Sequence, residues 1–145
     1  MTQIFPPPRS SEPLFLVPWQ VPAFAGFFLA IHAALQLAPL AYQQWAFVTL
    51  ALVPGRFLTG DGGMTALATA NLFTYALIHR DWIHVLVNVA MLLAAAGPVY
   101  RNCGMVRMIL LFAASSAAGG VAHVIVYWGA SAPVIGASAG AAGVI

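Results

Sequence analysis

The stretch Phe73-Thr74-Tyr75-Ala76-Leu77-Ile78-His79-Arg80-Asp81-Trp82-Ile83-His84-Val85-Leu86-Val87-Asn88 crowds most of the chain's polarity into one short run. From Asn88 to Gly97-Pro98 the sequence is apolar. Read as a helix over 73–99, the segment exceeds the about 20 residues that a bilayer crossing needs. His84 and Asn88 stand four residues apart and share one side of such a helix. Asn88 lies about 9 Å below Trp82 at 1.5 Å per residue, in the outer part of the bilayer. Polar groups at that depth are costly and face a functional interior. The alternative is that His84 and Asn88 are hydrogen-bonding glue between packed helices. Spacing alone leaves both readings open.

Composition supports the membrane reading. Of 145 residues, 62% are hydrophobic and 6% are charged, against about 25% charged in a soluble domain. Too little charge remains to coat a water-facing surface, which implies an all-α, polytopic transmembrane bundle. The five basic residues are all Arg, and three acids oppose them. That small excess does not point to nucleic acid, but it carries information on topology. The single cysteine, Cys103, excludes an internal disulfide and a cysteine-based metal cluster.

Working outward, residues 1–16 read as a short disordered cytoplasmic tail, polar and Pro-rich. They precede a membrane domain over 17–145. A first span is expected from Val17 to Pro39, with His32 facing other helices or the interface. The segment Ala41–Asn71 is apolar but broken by Pro54-Gly55-Arg56 and by Gly60-Asp61-Gly62-Gly63. It reads as an interfacial or re-entrant loop with a short amphipathic piece around Trp45. After the 73–99 span, Tyr100 to Arg107 forms a tight polar turn. A third span runs from Met108 to Trp128. Its Ser115, Ser116, Gly119 and Gly120 make one face small enough for close packing. A fourth span starts at Gly136 and has only reached Ile145, so the chain is expected to be part of a longer protein.

Arg101 and Arg107 carry no opposing acid, which places their turn in the cytoplasm. Span parity then brings His79–Asn88 and Gly136–Ser138 to the same face of the membrane. At that face Pro133-Val134-Ile135-Gly136-Ala137-Ser138-Ala139-Gly140 sets one hydroxyl among small residues. A hydroxyl at a helix start has unpaired backbone N–H groups beside it. With a His and an Asn opposite, those donors meet the needs of an oxyanion hole. Ser138 is equally readable as a helix cap, and Gly136-x-x-x-Gly140 as a packing motif. The match to the G-x-S-x-G elbow of α/β-hydrolases is set aside, because that motif needs a preceding strand in a soluble sheet.

The pattern H-x4-H-x3-N at His79, His84 and Asn88, followed by Gly136-Ala137-Ser138, resembles the rhomboid family of intramembrane serine proteases. The order of segments over residues 15–145 is similar as well. The resemblance implies helices 1–4 of an expected six, with Ala41–Asn71 as the family's first loop. It implies Ser138 as nucleophile and His84 and Asn88 as oxyanion stabilisers, with His79 in a supporting role. The substrates would be transmembrane segments of other proteins, cleaved within the lipid bilayer, with no cofactor and no metal. Ala139 stands where the family usually has glycine, and the Trp-Arg pair common in its first loop is not found. The family's general base, a histidine on the sixth helix, has no counterpart before Ile145. His123 is a poor substitute, so the 145 residues alone are expected to be inactive. The expected location is a bacterial inner membrane, with the N-terminus cytoplasmic. Two other readings are an inactive rhomboid-like protein that binds transmembrane clients and a transporter or channel fragment.

Overall fold

A computed structural model describes residues 18–58 and 66–144. The expected tail over 1–16, the Gly60–Gly63 break and Ile145 lie outside the described residues. The described elements are helical. They are α1 (Gln20–Leu37), α2 (Leu40–Leu50), a 3₁₀ turn (Pro54–Phe57), α3 (Ala66–Thr74), a second 3₁₀ turn (Tyr75–Leu77), α4 (Trp82–Val126) and α5 (Ser138–Ala142). Among them α1 and α4 are long and apolar enough to cross a membrane.

α1 lies inside the span expected from Val17 to Pro39. Its Phe28 is buried and meets Phe24 edge-on at 5.3 Å and Phe112 at 5.4 Å. These rings anchor α1 on α4.

α4 corrects two expectations. Its 45 residues, if straight, would be about 68 Å long, more than twice the about 30 Å hydrocarbon core. The helix is broken at Gly104, whose φ of 77° and ψ of 171° are non-helical. That φ is open to glycine and strained for other residues. Each half is about 33 Å, one bilayer crossing. The halves fold back on each other, since Val85, Leu92, Met108 and Phe112 share one core. The polar turn expected over Tyr100–Arg107 is therefore helical on both sides of a single residue. Good helix formers, Arg101 before the break and Met105 and Arg107 after it, keep the flanking residues helical.

The second correction concerns where α4 begins. The span expected from Phe73 instead starts at Trp82. Asp81 stops it by capping: its carboxylate accepts the His84 N–H at 2.8 Å, the N-cap arrangement that frees the preceding chain from the helix. His79, Arg80 and Asp81 thus precede the helix rather than line its first turn.

The Ala41–Asn71 segment is more ordered than a loop. α2 has Leu40, Tyr42, Trp45, Phe47 and Val48 exposed and only Ala46 buried. Its apolar surface runs most of the way round, so the amphipathic reading does not hold. Its last carbonyls are closed by side chains from elsewhere. Arg56 donates to Val48 O and, at 3.1 Å, to Ala51 O. Asn71 donates to Thr49 O at 2.7 Å and Thr74 to Leu50 O at 3.0 Å.

The fourth span is represented by α5, five residues long. It packs on the second half of α4 through small residues. A Cβ on Gly119 would come within 2.6 Å of Ala139 Cβ, and one on Gly140 within 2.4 Å of Ser116 Oγ. The small face expected from Ser115 to Gly120 is this contact.

Candidate active site

The turn leading into Ser138 is held from three sides. Leu52 and Val134 pair as a short antiparallel bridge, with bonds of 3.0 and 2.8 Å. The Gly136 N–H donates to Tyr75 O at 2.9 Å. The Ala137 N–H donates to His79 Nε2 at 3.3 Å. Ala137 is fully buried and Ser138 is exposed at the first position of α5. α5 closes its first backbone bond only at Ala141, which reaches back to Ala137 O. The N–H groups of the first turn, that of Ser138 among them, therefore have no partner within the helix.

Gly136 is where the turn meets the first half of α4. Its φ is 116°, and a Cβ there would stand 2.5 Å from His84 Nε2. The Nε2–Cε1 edge of the imidazole fills space that only glycine leaves open. His84 is half-buried and stands 5.2 Å, ring to ring, from His79. One turn deeper, Asn88 is 2% exposed. Its Nδ2 donates to His84 O at 2.9 Å, and its Oδ1 is buried without a partner among the described residues. The second Nδ2 hydrogen remains available.

His79 lies outside the membrane helices and is 7% exposed. Burial, then the neighbouring His84 and His32, lower its pKa to about 4. A neutral ring with a lone pair at Nε2 is what the Ala137 N–H requires. Asp81 is held below the usual carboxylate range by its bond from Arg80 and by the His84 N–H.

The structure thus brings His79, His84 and the residues adjoining Ser138 together, with Asn88 one helical turn below. His123 is elsewhere engaged, its ring 4.5 Å from Tyr127. A cleft of about 680 Å³ leads to His84 between Phe47, Arg80, Val87, Val134 and Ile135. Among the described residues, no cluster of three His, Cys, Asp or Glu is arranged to hold a metal. Sequence reasoning missed two residues that build the site. Asp81 was recognisable as a cap, being an Asp directly before an apolar helix. Tyr75 gave no signal, because it acts through its backbone carbonyl on Gly136 and through its hydroxyl on Ser116 O at 2.8 Å.

Compared with known proteins, the family model for the rhomboid domain matches residues 67–145. No curated protein and no solved structure matches the chain.

Proposed function

The chain belongs to the rhomboid family of membrane proteins, and on that footing we propose that it carries the front half of an intramembrane serine endopeptidase site. The observation that supports this most is the packing of His84 on Gly136, two residues before Ser138. In this reading Ser138 Oγ attacks the carbonyl carbon of a scissile peptide bond in a client's transmembrane segment. Its proton passes to a general base, the family's sixth-helix histidine, supplied from outside these 145 residues. The tetrahedral oxyanion is stabilised by the Ser138 N–H, the His84 ring and the Asn88 amide. Collapse breaks the C–N bond, and the base returns its proton to the leaving amine. Water then hydrolyses the acyl-enzyme, reaching it through the cleft beside His84.

The proposal places this face on the outer side of the membrane, with Arg101 and Arg107 and the N-terminus in the cytoplasm. Loss of one oxyanion donor should lower kcat by about 10²–10³-fold, so His84→Ala and Asn88→Ala are informative. The deciding experiment is labelling by a serine-reactive fluorophosphonate, in a polypeptide that includes the sixth helix. Wild type should label and Ser138→Ala should not. A folded protein whose Ser138 stays unlabelled would be a client-binding or transport protein instead.

A further inference from the structure

Tyr75 opens the second 3₁₀ turn and is 3% exposed. Its two polar ends go to different parts of the fold. The backbone carbonyl accepts the Gly136 N–H at 2.9 Å. The hydroxyl donates to Ser116 O, in the second half of α4, at 2.8 Å. The hydroxyl bond is an addition to that helix rather than part of it. A carbonyl inside an α-helix accepts the N–H four residues on, here that of Gly120. The phenol therefore takes up the second lone pair of Ser116 O.

The ring lies beside the glycines of the same helix. A Cβ on Gly119 would be 3.6 Å from the Tyr75 oxygen, and one on Gly120 3.4 Å from its Cε1. α5 rests on the same short patch. The Gly119 Cβ would stand 2.6 Å from Ala139 Cβ, and a Cβ on Gly140 would stand 2.4 Å from Ser116 Oγ. The chain just before Ser138 is thus fixed to Tyr75 through Gly136, and the chain just after it to Ser116 and Gly119 through Ala139 and Gly140. The Tyr75 hydroxyl joins those two supports directly. The other ties on the turn, Leu52 to Val134 and His79 to Ala137, do not involve Ser116.

We infer that the Tyr75 hydroxyl makes Tyr75 a positioning residue, which sets the Ser138 turn against the second half of α4. It touches no reacting atom. It holds the Tyr75 carbonyl at a fixed place on α4, and the Gly136 N–H carries that placement to the backbone of Ser138 two residues on. The effect on cleavage rests on the protease reading, in which the Ser138 N–H is aimed at the oxyanion. A misplacement of about 1 Å at a reacting centre costs about 100-fold, so loss of one of several ties should cost about tenfold.

The test uses the full-length protein in nanodiscs with ¹⁵N-labelled glycine. Tyr75→Phe keeps the ring and the carbonyl and removes only the hydroxyl, and Ser116 O keeps its helical bond. The Gly136 amide should exchange with solvent about tenfold faster than in wild type, while the Gly119 and Gly120 amides inside α4 stay as protected as before. For a transmembrane client kcat should fall about tenfold with KM unchanged, because Tyr75 does not line the cleft beside His84. Thr74→Val is the control. It removes the neighbouring hydroxyl, whose 3.0 Å bond goes to Leu50 O, and should change neither kcat nor the Gly136 amide. Unchanged Gly136 exchange in Tyr75→Phe overturns the inference. So does an equal rise at Gly119 and Gly120, which would make the hydroxyl a general packing group, or an equal loss of kcat in Thr74→Val. A faster Gly136 amide with wild-type kcat overturns the positioning role. If wild type cleaves nothing while the amides respond as stated, the protease reading fails and the tie between Tyr75 and the turn stands.

Discussion

The His84 imidazole and Gly136 occupy adjoining space so closely that a single Cβ at 136 would lie 2.5 Å from Nε2 and 2.6 Å from Cε1. The glycine also has a φ of 116°, which disfavours any side chain on backbone grounds alone. Two independent demands thus fall on one residue, and both bear on the His84 ring.

Gly136→Ala should therefore push His84 off the turn. The strained backbone costs about 1–3 kcal/mol, and cleavage should drop by at least about 100-fold if His84 stabilises the oxyanion. Gly26 offers the control, because a Cβ there meets nothing within 4 Å in the middle of α1. Gly26→Ala should be neutral or stabilising by about 0.5–1 kcal/mol. Equal losses in the two variants would mean that the Gly136 effect is not local to His84.

His79 predicts a pH dependence of stability. Its pKa falls from 6.5 to about 4 on folding, because burial and two neighbouring histidines disfavour the charged ring. The unfolded chain therefore binds the proton more readily. The stabilisation is complete above 6.5, shrinks as the pH falls below it, and is exhausted below about 4. Asp81 does not blur this window, since its own pKa lies below 3.8 and its contribution is lost only in stronger acid. Equilibrium unfolding in mixed micelles from pH 7 to 4 should show the decline, and His79→Gln should flatten it. A slope that survives in His79→Gln would assign the titration to another group.

The end of α2 makes a third case. Carbonyls 48 to 51 are the ones a helix cannot satisfy itself, and here Arg56, Asn71 and Thr74 close all four. Bonds from a charged donor contribute about 1.5–3 kcal/mol and neutral ones about 1. Arg56→Ala should thus cost more than Thr74→Val. Hydrogen exchange should show lost protection in α2 before any loss in α4. Uniform loss across both helices would mean that α2 does not open as a separate unit.

These cases show which features were legible in the sequence. The shared side of His84 and Asn88 follows from a spacing of four, a local property that any helix transmits. Membrane residence follows from composition. The closeness of Gly136 to His84 was reachable as a shared membrane face, through span parity, but not as a contact. The capping of α2 was illegible, because Asn71 and Thr74 lie 22 and 24 residues from the carbonyls they close. The true start of α4 was hidden because Phe73–Ile78 is as apolar as the span it precedes. Only the Asp81 cap separates the two. The helix that runs up to Gly104 from either side was hidden for the opposite reason: polar residues over Tyr100–Arg107 suggested a longer turn, while the chain needed only one glycine to reverse.

The contact between α5 and α4 supplies the last prediction, and it separates shape from chemistry. A Cβ on Gly143 would meet Ser115 Oγ at 1.8 Å and Ser115 Cβ at 2.2 Å, so both atoms of that side chain stand in its way. The backbone of Gly143 is ordinary, with φ at −75°, so Gly143→Ala strains nothing but the packing. Forcing a methyl into such a site costs about 1–3 kcal/mol. Removing the hydroxyl alone with Ser115→Ala leaves the Cβ in place and should not rescue. Ser115→Gly clears both atoms and should rescue, less the about 1 kcal/mol that glycine costs inside a helix. A double-mutant cycle on unfolding free energy should therefore show strong coupling of Gly143→Ala to Ser115→Gly and little to Ser115→Ala. Equal coupling to both would show that the hydroxyl, rather than the closeness of the two backbones, sets the position of α5 and of the Ser138 that begins it.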